Sequence, residues 1–282
     1  MKLSEMKQTL VSGGIRLTKS LGQNFLHDGN QLTRIINAAA LGPEDRVLEI
    51  GPGLGPLTER ILEKTPYLLA IEKDQRLVEH LRAKFGERAG FELQAGDAME
   101  ILRAEPRDWS GWKMVSNLPY SVASPILIEL AESDGPPQRM VATLQLEVAR
   151  RAAAAENDEA YGLLSLLLQL RYESAGLFKI PATCFFPAPE VDSACLTLVR
   201  REVPLLTREL SREFCRIVKR GFSQRRKMMF KLLREDWPAP SLSDAFQELN
   251  LPVLVRAEAV SLSQFVSLTR LLAESGPTVR TV

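Results

Sequence analysis

The spacing of apolar residues changes period along this chain, and those changes divide it. Residues 30–41 carry Leu32, Ile35, Ile36, Ala39 and Ala40 at helical spacing and are closed by Gly42 and Pro43, which predicts a helix ahead of the first strand. From Arg46 onward, short apolar runs alternate with amphipathic stretches. They predict strands at 47–50, 67–71, 91–94, 113–115 and 140–146, and helices at 54–63, 75–85 and 125–131. Strands that alternate with helices form a parallel sheet covered on both faces, so the fold class is α/β.

The rhythm then breaks. Residues 171–179 and 194–200 read as strands with only the Pro-rich stretch IPATCFFPAPEVDS between them, so they are expected to pair antiparallel. After an interruption at 202–205 the pattern is helical at 208–220, 224–234, 242–249 and 259–273. A boundary near 205 is therefore expected, with an α/β domain over 1–205 and a small all-helical domain over 206–282.

Composition narrows the function. The 282 residues are 45% hydrophobic and 25% charged, the proportions of a globular protein. Lys plus Arg (36) nearly cancels Asp plus Glu (35), so any polyanion site must be a local patch. Cys184, Cys195 and Cys215 are widely spaced with no CxxC, which suits neither a disulfide framework nor a zinc site. With only His27 and His80, no metal centre is expected. Charges scattered through residues 1–20 do not fit a secretory signal, and the apolar run 163–170 is too short to span a membrane. A cytoplasmic protein is expected.

The strand ending at Glu49 and Ile50 runs into Gly51-Pro52-Gly53-Leu54-Gly55, where open α/β sheets bind ligands. The dinucleotide fingerprint G-x-G-x-x-G is incomplete because its sixth position is Pro56. A loop with no pyrophosphate to cradle suits a ligand with a small zwitterionic middle, such as the methionine part of S-adenosylmethionine; a plain glycine turn is the alternative. Glu72 ends the second strand about 20 positions on, the spacing at which a carboxylate meets ribose hydroxyls. Asp97 follows the third strand and is placed either to accept an adenine amine or to cap a helix. Glycine, acid and acid at three successive strand ends describe a pocket for an adenosine with a charged tail.

The fourth strand ends in Ser116-Asn117-Leu118-Pro119-Tyr120. The lone pair of an adenine N6 amine is delocalised into the ring, so methylating it requires acceptors that favour the pyramidal form. The Asn117 side-chain oxygen and the Leu118 carbonyl are candidates; Pro119 fixes the loop and Tyr120 is placed to stack on the base. No strong general base is needed if the proton leaves after the methyl group arrives. An Asx-turn beside a buried tyrosine is the structural alternative.

Asn117-Leu118-Pro119-Tyr120, the EIGPGLG run at 49–55 and GQNFL at 22–26 together resemble the ribosomal RNA adenine N6-dimethyltransferases. Matching segments, which include 71–74, 96–98, 145–148, 185–193 and 222–232, extend over nearly the whole chain. The nearest resemblance is to the small-subunit (16S) branch, which dimethylates two adjacent adenosines near the 3′ end of 16S ribosomal RNA in the immature subunit. This implies a class I S-adenosylmethionine-dependent methyltransferase fold with a Rossmann-like sheet and a helical C-terminal domain. It implies that Gln23, Asn24 and Leu26 close over the donor and that Gly51 and Gly53 contact its methionine part. Glu72 would bind its ribose, Asp97 with Ala98 its adenine, and Asn117 would bridge donor and amine. Phe185 matches the aromatic that stacks on a flipped base; a core phenylalanine is the alternative, and Phe186 reads as core. Glu190 stands where the family usually has Lys, while Asp192 and Ser193 read as loop structure.

The local basic patch lies at 219–234: Lys219, Arg220, Arg225, Arg226, Lys227, Lys231 and Arg234, with no acidic residue among them. The match of FSQRRK at 222–227 to the family favours RNA contact by Lys219, Arg220, Arg225, Arg226 and Lys227 over a merely solvated helix, and Arg16, Lys19, Arg150 and Arg151 are candidates to extend the surface. A monomer acting on 16S ribosomal RNA within an immature small subunit is expected. A large-subunit ribosomal RNA methyltransferase and a non-catalytic RNA-binding assembly factor stay open as alternatives.

Overall fold

The structure, a computed structural model, describes residues 3–15, 22–104 and 107–274. The chain divides into two compact units, Met1–Ala149 with Tyr172–Arg200, and Arg150–Arg171 with Arg201–Val282. The division at 200 lies close to the boundary expected near 205. Residues 150–171, however, group with the second unit and not with the α/β part, which corrects the simple two-segment picture. The reason is packing: their helix lies against the first long helix after residue 200.

The elements run α1 (Leu3–Ser12), β1 (Phe25–Leu26), α2 (Gly29–Ala39), β2 (Arg46–Ile50), α3 (Pro56–Leu62), β3 (Leu68–Glu72), α4 (Gln75–Phe85) and β4 (Phe91–Ala95). There follow α5 (Ala98–Ala104), β5 (Trp112–Asn117), α6 (Ala123–Glu132), β6 (Arg139–Gln145), α7 (Leu146–Ala153) and α8 (Leu163–Gln169), then β7 (Tyr172–Ile180), β8 (Phe185–Phe186) and β9 (Ser193–Arg200). The first unit is built on a seven-stranded sheet ordered β4-β3-β2-β5-β6-β9-β7. Neighbours among the first five strands of that order are parallel, and β9 runs antiparallel to both β6 and β7. A two-stranded ribbon pairs Phe25 with Phe186 and Leu26 with Phe185.

The sequence dictates much of this locally. The first turn of α2 is capped by Asp28, which accepts the Gln31 N–H at 2.9 Å, and the helix ends in Ala40 at φ +47°. Its Leu32, Ile35 and Ile36 are buried against the sheet together with Val47, Val115 and Val141, at about 1.5–3 kcal/mol for each large side chain. Four helices, α1, α5, α7 and α8, are not among those the spacing predicts: α5, for one, is short and buries only Leu102, and α8 (LLSLLLQ) is apolar on nearly every side.

In the second unit, α9 (Arg208–Gly221) is followed by α10 (Met229–Leu233), α11 (Ala239–Glu248) and α12 (Leu262–Glu274). The single helix expected at 224–234 is replaced by turns through 222–228 and the short α10. Phe222 caps α9 and stacks on Phe265, with centroids 6.2 Å apart, and Ser223 Oγ donates to the Arg220 carbonyl. Phe214 meets the same Phe265 ring edge-on. Among the described residues no helix is long and apolar enough to cross a membrane.

Candidate active site

Strands β2 and β5 pair only as far as Leu48 and Met114, then diverge. Beyond that point the Ile50 N–H is held by the buried Ser116 Oγ at 2.9 Å, while the Gly51 N–H continues the ladder to Ile71 on the other side. The strand order reverses here, so the divergence opens a crevice at the carboxyl ends, the usual ligand position in such sheets. A cavity of about 290 Å³ fills it.

Gly51, Gly53 and Gly55 all sit at positive φ, between +62° and +78°. Side chains are excluded twice over, because a Cβ on Gly53 would fall 2.6 Å from the Phe25 ring and one on Gly55 2.6 Å from Phe85. The Gly53 N–H is donated to Glu72 Oε2 at 3.1 Å, and Glu72 Oε1 accepts the Asp74 N–H at 3.0 Å. Burial pushes the Glu72 carboxyl above the ordinary carboxylate value. Beneath the loop, Glu49 is buried and accepts from Thr58 Oγ1 at 2.7 Å; desolvation carries it up to about 8. Asp97 is a helix cap that also faces the cavity. It caps α5 through the Met99 N–H at 2.8 Å and lines the cavity, while the exposed Lys73 ammonium, 2.8 Å from its other oxygen, holds its carboxyl low.

The Asn117 amide is oriented by its Nδ2, which donates to the Asn24 carbonyl at 2.9 Å. Its Oδ1 is buried and has no hydrogen-bond partner among the described residues. A buried acceptor left unpaired is costly, so this atom marks where a donor group belongs. Tyr120 lines the same cavity, and its hydroxyl shares a 2.6 Å hydrogen bond with Ser193 Oγ, fully buried at the start of β9. Burial pushes the Tyr120 hydroxyl up.

Gln23, Asn24, Gly51, Gly53, Glu72, Asp97, Ala98, Asn117, Leu118, Pro119 and Tyr120 thus converge on one cavity. Leu26 and Phe185 do not. They oppose each other in the ribbon, and their side chains are buried in the cluster beneath α2, with Phe185 only 3% exposed. Alternation along a strand sends neighbouring side chains to opposite faces. Phe25 therefore lines the cavity, and Phe186 packs on Phe25, Leu54 and Leu77. Sequence reasoning also missed Ser193 and Asp74; a hydroxyl and a carboxylate adjoining the motifs were the available signals.

The basic residues of the second unit differ among themselves. Arg220 is half-buried and bridges Asp236 and Glu235, which removes it from the set poised for phosphate. Arg225 donates to the Glu159 carbonyl and lies 3.8 Å from Glu258, whereas Lys219, Arg226 and Lys227 are exposed. Arg150 and Arg151 are exposed; Arg16 and Lys19 lie outside the described residues.

The chain is 36% identical to ribosomal RNA small subunit methyltransferase A of Geobacter metallireducens, over 93% of this chain and 98% of that protein. It is 40% identical to the protein of the same name from Gloeobacter violaceus, over 91% and 94%. The crystal structure of the 23S rRNA methyltransferase ErmE superposes with a TM-score of 0.70 at 26% identity, over 89% of this chain and all of that one. A dimethyladenosine transferase from Plasmodium falciparum shares the fold with a TM-score of 0.74 at 23% identity, over 86% and 95%. The profile of the ribosomal RNA adenine dimethylases matches residues 14–274, nearly all of what is described, and the chain belongs to that family.

Proposed function

We propose that this chain transfers methyl groups from S-adenosylmethionine to the N6 amines of two adjacent adenosines near the 3′ end of 16S ribosomal RNA, as a cytoplasmic monomer acting on an immature small subunit. The observation that carries the reading is the Asn117 amide, tied at Nδ2 and unpaired at a buried Oδ1 inside the cavity. The cavity's donor set fits the methyl donor: glycine backbone at positive φ for its methionine part, Glu72 for its ribose, Asp97 and Ala98 for its adenine. When bound, the donor supplies a methyl group on a sulfonium centre.

Asn117 Oδ1 accepts one N–H of the target amine and the Leu118 carbonyl the other, so the nitrogen is held pyramidal with its lone pair turned out of the ring. Pro119 keeps the loop rigid and Tyr120, pinned by Ser193, forms a wall against the base. The second unit supplies phosphate contacts through Lys219, Arg225, Arg226 and Lys227. Identity of 36–40% to small-subunit enzymes, against 26% to the 23S enzyme, supports the choice of RNA. The test is incubation of immature 30S particles with labelled donor, followed by mass-spectrometric mapping. Label on two adjacent 3′-proximal adenosines is the expected result; modification confined to large-subunit RNA overturns the choice.

A further inference from the structure

Asp74 does not line the cavity, yet it ties together three stretches that do. It is 7% exposed and caps α4, its Oδ1 accepting the Arg76 N–H at 3.1 Å. A helix cap needs only that oxygen. The other, Oδ2, accepts from Gln23 Nε2 at 2.9 Å, across 51 positions of sequence. The Asp74 N–H meanwhile goes to Glu72 Oε1, and Glu72 Oε2 holds the Gly53 N–H. One residue thereby links the segment before β1, the end of β3 and the glycine loop. The Arg76 guanidinium, 2.6 Å from Oδ2, completes the surroundings and keeps the carboxylate charged.

We infer that Asp74 is a positioning residue for the methyl donor: it latches Gln23 over the cavity while its backbone sets the Glu72 carboxylate. The inference rests on the reading of the cavity as the donor site. A cap and a latch make different demands, and the two can be separated. Ser caps a helix about as well as Asp but is too short to reach Gln23. A carboxylate at 23 faces Asp74 with like charge, and an Asn at 74 restores a donor–acceptor pair of reversed polarity.

Binding of S-adenosylhomocysteine to the full chain, measured by calorimetry, tests this without reference to turnover. Asp74→Ser is expected to weaken binding about tenfold, the scale of one hydrogen bond to a charged group. Gln23→Glu is expected to weaken it at least as much, and adding Asp74→Asn to Gln23→Glu to restore affinity to within about threefold of the unmodified chain. Amide exchange at residues 22–26 should quicken in the two weakened variants and slow again in the restored one. Unchanged affinity in Asp74→Ser, or no recovery in the double variant, overturns the latch. Failure of the unmodified chain to bind S-adenosylhomocysteine at all is a different outcome, which removes the donor reading and this inference with it.

Discussion

Replacing Gly53 with Ala separates a cavity-shaping glycine from one that only turns the chain. At φ +62° an L-residue costs roughly 1–2 kcal/mol. The new methyl group would also stand 2.6 and 2.7 Å from Phe25 Cε1 and Cδ1, where carbon atoms settle near ~3.5–4.0 Å. The ring must therefore move by about 1 Å. It is not free to do so, since Phe25 pairs with Phe186 and packs against Leu54 and Leu77; overpacking of this kind adds about 1–3 kcal/mol. Against a gain of ~0.4–1 kcal/mol from stiffening the unfolded chain, the net destabilisation comes to about 1–5 kcal/mol.

Because Phe25 lines the cavity, the displacement reaches the proposed donor site as well. Gly53→Ala should lower affinity for S-adenosylhomocysteine at least tenfold by calorimetry. Gly55→Ala, whose methyl group meets Phe85 at 2.6 Å and φ +78°, should cost similar stability but leave affinity within about threefold, because neither residue lines the cavity. Urea unfolding followed by amide exchange in β2, β3 and β5 reports the first unit by itself. Equal donor affinity in Gly53→Ala and the unmodified chain, or an equal loss in both variants, would refute the assignment of the loop.

Asn117→Ala should reduce methyl transfer to 16S ribosomal RNA by roughly 100-fold or more while largely sparing RNA affinity, and unchanged turnover would sink its role. Ser193→Ala and Tyr120→Phe each remove one end of the 2.6 Å hydrogen bond, so each should lower kcat by about the worth of one such bond, ~1 kcal/mol, with no further loss in the double variant; additive losses would refute the pinning. Glu49 takes up its proton more readily folded than unfolded, so raising the pH from about 4.5 towards about 8 costs the folded state increasingly. Glu49→Gln should be increasingly stabilising relative to the unmodified chain across that window and level off above it, and a flat difference in urea midpoint would contradict this. Charge reversal at Arg225 and Arg226 should weaken RNA binding and flatten its salt dependence by about one unit of slope per lost phosphate contact. Arg220→Ala should instead destabilise the second unit and leave the slope alone.

What the sequence revealed and what it hid follow from the range of the forces involved. Strand ends, the glycine loop, Asp97 and the Asn117 loop were legible because each is set by local backbone demands: positive φ, a cap, a proline. The burial of the Leu26 and Phe185 side chains was not legible because a motif names residues, whereas facing is decided by strand parity. A shift of one residue in the ribbon exchanges Phe25 and Phe186 for Leu26 and Phe185. Asp74 and Ser193 were illegible for a further reason, since each acts on a partner distant in sequence, Gln23 in one case and Tyr120 in the other. The break at 222–228 was hidden because Phe222 is apolar and falls in phase with the following helix, although it packs on Phe265 in α12.

The near-zero net charge conceals cations that the fold itself neutralises. Formal charge places Arg220 in the basic patch, but two carboxylates neutralise it within the fold, and Glu258 stands 3.8 Å from Arg225. Lys219, Arg226, Lys227, Lys231 and Arg234 are left as exposed cations. At physiological salt, charges act over a Debye length of about 8 Å, so a patch this small attracts only phosphates that already lie beside it. Nonspecific affinity for extended RNA should accordingly be low. Productive binding then requires RNA whose phosphates are already folded into place, as in a ribosomal particle, and a competition assay should favour the particle over the same RNA stripped of protein by a margin that widens with added salt.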